Sequence, residues 1–390
     1  MKRMLRGFAG SLERSDSVLL AAVLILLALG AVVVYGAGSY NSQAVSSPFG
    51  QHYILIKHLA MIVIGALLML GLLHVDYHWF RIRWLNWTLW VTALVLVAAT
   101  LVNPEGRHIN RWINVFGFSL QPVELAKIAA IVFLADRLAW LEAGKCLTPR
   151  NLLVALAVGP LPLLLLLALQ PNYGNVMTLA GVTVVLLFVV GVPARLLAAA
   201  LSAPLAAGVL AFMVVPKLHH RLTAWLQGLL QGEYEYQVRQ SLIGLGAGGW
   251  RGLGVGHSHN KFFFLPESHT DFAYSVLGEE WGLAGTLGVI LLVVIIAWRG
   301  FAIASRAADP FGRLVAAGLT TGLTIYGLTN IAMVIGIFPV VGVPLPFVSF
   351  GGTAMVTGLA TLGILLNIDR VSRSYRVWRR RWQRSGVAQP

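Results

Sequence analysis

The chain has 390 residues, of which 57% are hydrophobic and only 11% are charged. Soluble globular domains carry about 25% charged residues, so this composition excludes an ordinary soluble domain and predicts an all-α polytopic membrane protein. The single cysteine, Cys146, excludes an internal disulfide. The net charge of +14 raises the question of nucleic-acid binding, which the distribution of that charge answers below.

Ten apolar stretches are each long enough to cross the hydrocarbon core, which takes about 20 helical residues. The predicted spans are 17–37, 54–74, 84–102, 122–140, 151–169, 175–191, 196–215, 272–298, 314–338 and 347–367. The first is too long for a signal peptide and lacks a small-residue cleavage site, so we expect it to be retained as an anchor. We find no repeat or linker and predict a single domain over 1–390.

Lysine and arginine are unevenly divided between the two sides that these spans define. The side of the N-terminus, from 1–16 to the basic tail at 368–390, holds most of them. By the positive-inside rule both termini are cytoplasmic, which requires an even number of spans. The basic excess is then a topology signal and an attraction to anionic lipid, and it does not indicate nucleic-acid binding. The tryptophan-containing tail favours a membrane-surface anchor over a partner site.

The longest connection, 216–271, lies on the outer side between spans seven and eight. It holds several aromatic residues and a glycine-rich stretch at 244–256, a composition that is not typical of disorder. Long loops in compact proteins are often functional. We expect this one to fold over the outer face, partly as short amphipathic pieces.

Charged residues inside a membrane span are costly and often mark function. Span four begins with QPVELAK, 121–127, where Glu124 and Lys127 are three apart and share one helix face. The pair could be functional or could be a structural ion pair, and the sequence favours neither. Just before it, Arg111 and Trp112 lie in the outer loop, where Trp112 could also be an ordinary interfacial aromatic residue.

The segment LPESHTDF, 265–272, places Glu267, His269 and Asp271 at the mouth of span eight. Asp271 precedes an apolar stretch, and partial burial would raise its pKa and make it a better base. The alternatives are a helix N-cap role for Asp271 and a satisfied interfacial role for His269. A metal site from the three side chains is conceivable, although their spacing matches no zinc pattern.

Spans nine and ten are joined by FPVVGVPLPFVSFGG, 338–352, whose prolines and glycines break a helix and allow tight bends. Non-helical backbone at membrane depth is tolerated only where protein or a wet cavity covers it. A second Pro/Gly turn, QPNYG, lies at 170–174 on the same side. We therefore expect 107–127, 170–174, 251–280 and 338–352 to meet around one outward-facing cavity, suited to a substrate with a lipid tail and an anionic head.

These segments carry a family resemblance. The matching motifs are RWINVFGFSLQPVELAK, QPNYG, GLGVGHSHNKFFFLPESHTDFAYSVLGEEWGLAG and PVVGVPLPFVSFGG. They resemble the SEDS family, the FtsW/RodA/SpoVE proteins, over essentially the whole chain. The resemblance implies a bacterial inner-membrane glycosyltransferase that polymerises lipid II, the lipid-linked disaccharide-pentapeptide, on the outer face. It also implies a class B penicillin-binding protein transpeptidase and other divisome or elongasome membrane proteins as partners.

The resemblance also implies roles for individual residues. Asp271 matches the family's essential aspartate, Trp112 matches the tryptophan of its RW pair, and Glu124 and Lys127 match its QPSE-x-x-K motif. We therefore expect Asp271 to be catalytic. The residues expected to bind substrate are Arg111, Trp112, Gln121, Glu124, Lys127, Glu267, His269 and Ser349.

Three positions depart from the family pattern. Val123, Asn172 and Phe350 stand where serine, aspartate and tyrosine are usual. Asn172 removes a carboxylate from the outer face, so we assign it no acid role. The motif at 252–267 is more FtsW-like and the one at 339–352 more RodA-like; we favour the former, which predicts a role in division over one in elongation.

One base and no protein nucleophile predict a single displacement with inversion. Asp271 would remove the proton of an acceptor hydroxyl, while Arg111, Lys127, Arg221 or Arg251, or a divalent ion such as Mg²⁺ or Mn²⁺, would balance the leaving pyrophosphate. No other cofactor is expected.

Two rival functions stay open, a lipid II flippase and a non-catalytic scaffold for the transpeptidase. A carrier would place essential charge near the midplane, whereas the unusual polar segments here lie mostly on the outer half. A scaffold would need neither Asp271 nor the Glu124–Lys127 pair.

Overall fold

The computed structural model describes residues 16–38, 50–102, 111–115, 118–199, 202, 208 and 213–384. The helices in this part of the chain are α1 (Ser17–Gly38), α2 (Tyr53–His74), α3 (Arg83–Ala99), α4 (Pro122–Ala143), α5 (Pro149–Val158), α6 (Pro160–Leu169), α7 (Tyr173–Val189), α8 (Pro216–Gln231), α9 (Tyr236–Gly248), α10 (Ala273–Ser305), α11 (Pro310–Val334) and α12 (Gly352–Arg384). Short helical turns lie at Gly50–His52, Tyr77–Arg81 and Asn260–Phe264. The all-α polytopic prediction is confirmed.

A two-stranded hairpin precedes α4. Strand β1 (Ile113–Val115) pairs antiparallel with β2 (Phe118–Leu120), with Ile113 opposite Leu120. This hairpin was not predicted from the sequence, because strands of three residues are too short to show a hydrophobic period. Only Gln121 separates the end of β2 from Pro122, the first residue of α4.

Five helices, α1, α2, α10, α11 and α12, are each long and apolar enough to cross a membrane. Helices α5 and α6 together form a sixth, bent by 46°. The predicted fifth span, 151–169, is therefore broken, because Pro160 has no N–H to donate and its ring clashes with the preceding turn. Helices α3 and α7 are shorter apolar helices in the positions of predicted spans three and six. The predicted seventh span, 196–215, falls largely outside the described residues.

Helices α2 and α12 pack closely along each other, and α1 packs on both α2 and α10. Small residues make the close approach possible. A Cβ at Gly65 would lie 2.6 Å from Leu359 Cδ1, and one at Gly363 would lie 2.6 Å from the carbonyl oxygen of Met69. Small residues at such contacts are typical of helix packing in membranes. Helix α11 packs on α10, α7 and α4, and so occupies the centre of the bundle.

The predicted tenth span, 347–367, is wrong at its beginning and at its end. The helix starts only at Gly352, since the Pro/Gly-rich segment before it is not helical, and it continues without a break to Arg384. The first part of the predicted tail packs on the bundle: Asp369 and Ser372 are buried, and Ser372 Oγ accepts a hydrogen bond from the Ala308 N–H at 3.1 Å.

The predicted eighth span is interrupted near its outer end. Gly282 in α10 has a φ of +66°, in the left-handed region that favours glycine. A side chain there would overlap the backbone of Trp250 and Gly252 in the large outer loop, and the Leu283 N–H donates to the Gly249 carbonyl at 2.8 Å. Residues 273–281 therefore form a short helix that lies under the glycine-rich part of the loop, before the main membrane helix.

Candidate active site

Asp271 lies in the short non-helical segment immediately before α10. Glu267 adopts a left-handed φ of +58°, and its carbonyl accepts hydrogen bonds from the Thr270 and Phe272 N–H groups at 3.1 Å each. This tight turn, with buried Phe272 as its anchor, aims Asp271 inward. Phe272 occupies the N-cap position of α10 and no side chain caps the helix there, so the alternative role of Asp271 as N-cap is wrong.

The Asp271 carboxylate forms no ion pair or hydrogen bond within the part of the chain that the structure describes. Burial and, to a smaller extent, the nearby negative charge of Glu267 together raise its pKa to about 7. A Cβ at Gly342 would lie 3.4 Å from Asp271 Oδ2, so the absence of a side chain at 342 leaves room beside the carboxylate. A carboxyl group with a pKa near 7 is suited to general-base catalysis.

The other two side chains of the LPESHTDF segment support the turn. Glu267 Oε2 accepts a hydrogen bond from Thr270 Oγ1 at 2.6 Å. Burial lowers the pKa of His269, and the charge of Glu267 opposes this effect. The His269 carbonyl accepts from the Phe350 N–H at 2.9 Å, and the Phe350 ring lies 5.9 Å from the His269 ring. Phe350 therefore joins segment 338–352 to the Asp271 turn without the hydroxyl that is usual at this position.

A cavity of about 70 Å³ lies between α4, α7, α11, α12 and the non-helical segment 344–349. Its wall is mostly apolar, with a few polar groups from residues that include Glu124, Lys127, Tyr326 and Ser349. Ser349 Oγ accepts from the Leu345 N–H at 2.9 Å, which leaves its own hydrogen for another acceptor. An apolar cleft with a few polar groups is typical of a ligand site.

The Glu124–Lys127 pair forms the polar part of the cavity wall. Lys127 Nζ lies 2.9 Å from Glu124 Oε1 and 3.6 Å from the centre of the Tyr326 ring. The Tyr326 hydroxyl lies 2.8 Å from Glu124 Oε1 and 2.5 Å from Asn175 Oδ1. Asn175 Nδ2 in turn donates to Asn172 Oδ1 at 2.9 Å. Since both side chains of the pair are nearly buried, this network offsets the cost of placing an ammonium group inside the bundle.

Asp271 is not among the residues that line this cavity, yet the two are adjacent. The non-helical segment that contributes Pro344 to Ser349 to the cavity wall also places Gly342 beside Asp271. Tyr326, in the wall, lies within electrostatic range of Asp271. The carboxylate therefore lies beside a cavity whose wall includes Lys127.

Two arginines contact the backbone of segments 170–174 and 338–352. Arg111 donates to the carbonyls of Gln170 and Pro171, at 3.2 and 2.7 Å. Burial lowers its pKa, and the positive charge of Arg221 lowers it further. Arg221 Nη1 reaches the Val340 carbonyl at 3.5 Å. Within the described residues neither guanidinium has a carboxylate partner, so the two together attract an anion.

The structure brings together all four predicted segments through direct contacts, with Gly174 packed against Val341 and Val343. Arg111 contacts the 170–174 turn, the Gln121 N–H donates to Thr353 Oγ1 at 2.9 Å, and Phe350 joins His269. Trp112 is 42% exposed, and no contact of its side chain decides between an interfacial and a binding role.

Glu279 and Glu280 hold the outer loop in place. Glu279 accepts hydrogen bonds from Ser258 Oγ at 2.5 Å and from the His259 N–H at 2.9 Å. Lys261 is buried beside Glu280, with Nζ 3.9 Å from its carboxylate. Both glutamates are thus engaged in folding the loop onto α10, and the structure brings neither to the Asp271 carboxylate.

The metal site considered for Glu267, His269 and Asp271 does not form in this geometry. Among the described residues, no three side chains of His, Cys, Asp or Glu come together as ligands for an ion. Glu267 is turned toward Thr270, and it influences Asp271 only through its charge.

Sequence reasoning missed Tyr326, Asn175 and Asn330, all of which contact the site. A signal was present, because Tyr326 and Asn330 are four apart in an apolar helix and so share one face. Polar side chains at such spacing inside a membrane helix are typical of a face that is turned away from lipid.

The family model described as "Cell cycle protein", FtsW/RodA/SpoVE, matches residues 16–374. A curated relative, probable peptidoglycan glycosyltransferase FtsW of Trichlorobacter lovleyi, is 36% identical over 372 residues and is matched over 92% of this chain and 94% of its own length. Stage V sporulation protein E of Bacillus subtilis is 33% identical over 378 residues, with 92% of this chain and 98% of the relative covered.

Solved structures show the same fold. A chain from a peptidoglycan synthase complex that coordinates polymerization and crosslinking superposes with a TM-score of 0.72 at 26% identity, over 92% of this chain and 98% of that one. Rod shape determining protein RodA of Thermus thermophilus gives a TM-score of 0.66 at 27% identity, over 91% and 97% of the two chains. The matches extend over nearly the full length on both sides.

Proposed function

Because the chain belongs to the FtsW/RodA/SpoVE family and is a peptidoglycan glycosyltransferase like its relatives, we propose that it polymerises lipid II on the outer face of the bacterial inner membrane. The observation that carries the proposal is Asp271, a carboxyl group with a pKa of about 7 and no cationic partner in the described chain, beside a largely apolar cavity. Such a group is matched to proton removal at neutral pH.

In the proposed reaction, Asp271 removes the proton from a hydroxyl of the acceptor sugar. The hydroxyl oxygen forms a bond to the anomeric carbon of the donor sugar, and the bond from that carbon to the lipid pyrophosphate breaks with its electron pair on the pyrophosphate. One displacement of this kind inverts the anomeric configuration. The proton that Asp271 gains is released to solvent after product leaves.

The leaving pyrophosphate gains negative charge, so cations beside it lower the barrier. We assign this role to Arg111 and Arg221, whose guanidiniums lie near one another without a described acid partner, and to Lys127 in the cavity wall. Mg²⁺ or Mn²⁺ could enter with the substrate phosphates, because Mg²⁺ commonly needs only one or two protein carboxylates. The described side chains offer no ready-made ion cage, and no step here passes through a metal.

The distribution of charge supports the proposed orientation in the membrane, and the relatives support the proposed partner and cellular role. Most lysines and arginines lie on the side of the N-terminus, which supports cytoplasmic termini and an outer site. The similar chain of known structure comes from a complex that joins polymerization to crosslinking, which supports a class B penicillin-binding protein as partner. The relatives named FtsW support a role in division.

The test is polymerisation of lipid II by the purified protein in detergent, where no membrane separates two sides. We expect the wild type to form glycan and Asp271→Asn to lose about 10²–10⁴-fold in rate. Asp76→Asn, in an exposed turn beyond the end of α2, is the matched control and should keep wild-type activity.

Thermal stability distinguishes a loss of activity through misfolding from a loss of activity through removal of the base. Because the folded-state pKa of Asp271 lies above the ordinary value of about 4, its ionisation destabilises the folded protein as pH rises through this interval. Asp271→Asn should therefore melt no lower than the wild type at pH 8. Rapid polymerisation by that variant would overturn the assignment. Absence of glycan with the wild type, together with lipid II transfer in vesicles, would favour the flippase, and normal growth with Asp271→Ala would favour the scaffold.

A further inference from the structure

Asn330 in α11 is fully buried and makes two hydrogen bonds that meet at the active site. Its Nδ2 donates to the carbonyl of Asp271 and to the carbonyl of Val343, each at 2.7 Å. One amide group therefore holds together the segment that carries Asp271 and the segment that lines the cavity. The amide is oriented by these two acceptors, and Asn330 Oδ1 is buried with no hydrogen-bond partner among the described residues.

Both carbonyls need such a donor. Among the described residues, no backbone N–H group donates to the carbonyl of Asp271 or to that of Val343. A buried carbonyl without a partner destabilises the fold, and in the membrane no bulk water can replace the donor. Of the side chains on α11 that the structure describes, Asn330 is the one that reaches both.

The contact of Asn330 with the Val343 carbonyl bears on catalysis because Val343 lies close to the Asp271 carboxylate. Val343 follows Gly342, whose missing side chain leaves the space beside Asp271 Oδ2. By fixing Asp271 and Val343 to one amide, Asn330 fixes the distance between the carboxylate and this space. Displacing a reacting group by about 1 Å is enough to cost on the order of 10²-fold in rate.

We propose that Asn330 is a positioning residue for the proposed base, holding Asp271 in register with the segment that lines the cavity through its two-carbonyl amide contact. The inference rests on the proposed function of Asp271. The charged or titratable groups that act on Asp271 are Glu267 on its own segment and Tyr326 on α11, and substitution of Asn330 leaves both unchanged.

The test compares Asn330→Leu and Asn330→Ser in detergent-purified protein with lipid II as the probe. Leucine has a similar volume and no donor, whereas serine keeps a single donor. We expect kcat to fall about 10–100-fold for leucine and less for serine, with KM changed less than about twofold. The control is Thr320→Val, which alters a buried polar side chain on the same helix whose hydroxyl has no described hydrogen-bond partner.

The pH dependence of kcat distinguishes positioning from a merely structural role. A loosened turn admits water to Asp271, so the ascending limb should move to lower pH by about half a unit or more. Loss of folded protein alone would reduce the amplitude and leave the limb in place, and that result would overturn the proposal. If Asn330→Leu falls below the wild type in melting temperature so far that it cannot be assayed, Asn330→Ser carries the same comparison.

Asp271→Asn measured beside these variants separates the two claims. Wild-type kcat and an unshifted limb for Asn330→Leu, with Asp271→Asn inactive, would contradict positioning by Asn330 and leave the base assignment standing. An active Asp271→Asn would remove the base assignment itself.

Discussion

At the end of the bundle opposite Asp271, acidic side chains are paired with cations. Asp16 begins α1 by accepting from the Leu19 N–H at 3.0 Å, and its carboxylate also binds Arg299 near the end of α10. Glu142 on α4 binds Arg313 on α11, with oxygens 2.5 and 2.7 Å from one guanidinium nitrogen. Asp271, at the other end of α10, has a glutamate as its charged neighbour and no described cation within ion-pair distance.

The comparison distinguishes paired carboxylates, which stabilise the fold, from an unpaired carboxyl group, which can take part in a reaction. A guanidinium that binds both oxygens of a carboxylate fixes two helix ends together. A partly buried carboxylate without a cation has a raised pKa and can exchange a proton near neutral pH. The Glu124–Lys127 pair lies between these extremes, since it is paired like the first group yet lines the cavity like the second.

The largest effect on stability is expected from breaking the Glu124–Lys127 pair. Glu124→Gln should lower stability by about 3–5 kcal/mol, because Lys127 then stays buried without a counter-charge. The double variant Glu124→Gln/Lys127→Met should recover most of the melting temperature but polymerise lipid II at least about tenfold more slowly. Full activity in the double variant would show that the pair only holds α4 in place.

A smaller loss of stability is expected from breaking the Asp16–Arg299 pair, at the end of the bundle opposite Asp271. Arg299→Met leaves Asp16 buried without its guanidinium, so stability should fall by about 3 kcal/mol. Activity per folded molecule should stay within about twofold of wild type, since no described contact joins this pair to the Asp271 turn. A changed KM for lipid II at equal folded fraction would contradict the division between the two ends.

The smallest effect on the rate of polymerisation is expected from a substitution at Asn172. Its Oδ1 already accepts from Asn175, and its Nδ2 is buried without a described partner, so the amino group contributes little. The rate of polymerisation per folded molecule, measured with lipid II in detergent, should therefore change by less than about threefold in Asn172→Asp, whereas its melting temperature should fall because position 172 is buried. A rate that rises or falls by more than tenfold would mean that a carboxylate at this position takes part in the reaction.

The membrane helices could be predicted from the sequence more fully than the contacts of the candidate site. Hydropathy predicted the long spans, because length and apolar content are directly visible, and Asp271 stood out as a carboxylate beside an apolar stretch. Hydropathy is insensitive to backbone geometry, so the bend before Pro160, the break at Gly282 and the late start of α12 were not predicted.

The contacts of the site were harder to predict than its location. Asn330 and Tyr326 are polar residues in an apolar helix, but their partners lie in segments far away in the chain. Only folding brings the Val343 carbonyl to the same amide as the Asp271 carbonyl. The engagement of Glu279 with Ser258 likewise depends on how the outer loop folds back, which spacing along the chain does not specify.

The most direct test of the central claim is the single-turnover rate of lipid II polymerisation by the wild type as a function of pH. Asp271 must be deprotonated to act as the base, and its pKa is about 7. The rate should therefore rise about tenfold per pH unit below this value and level off above it. A rate that is flat from about pH 5 to 8, or a midpoint near the ordinary aspartate value of about 4, would contradict the role of Asp271 as an unpaired, partly buried base.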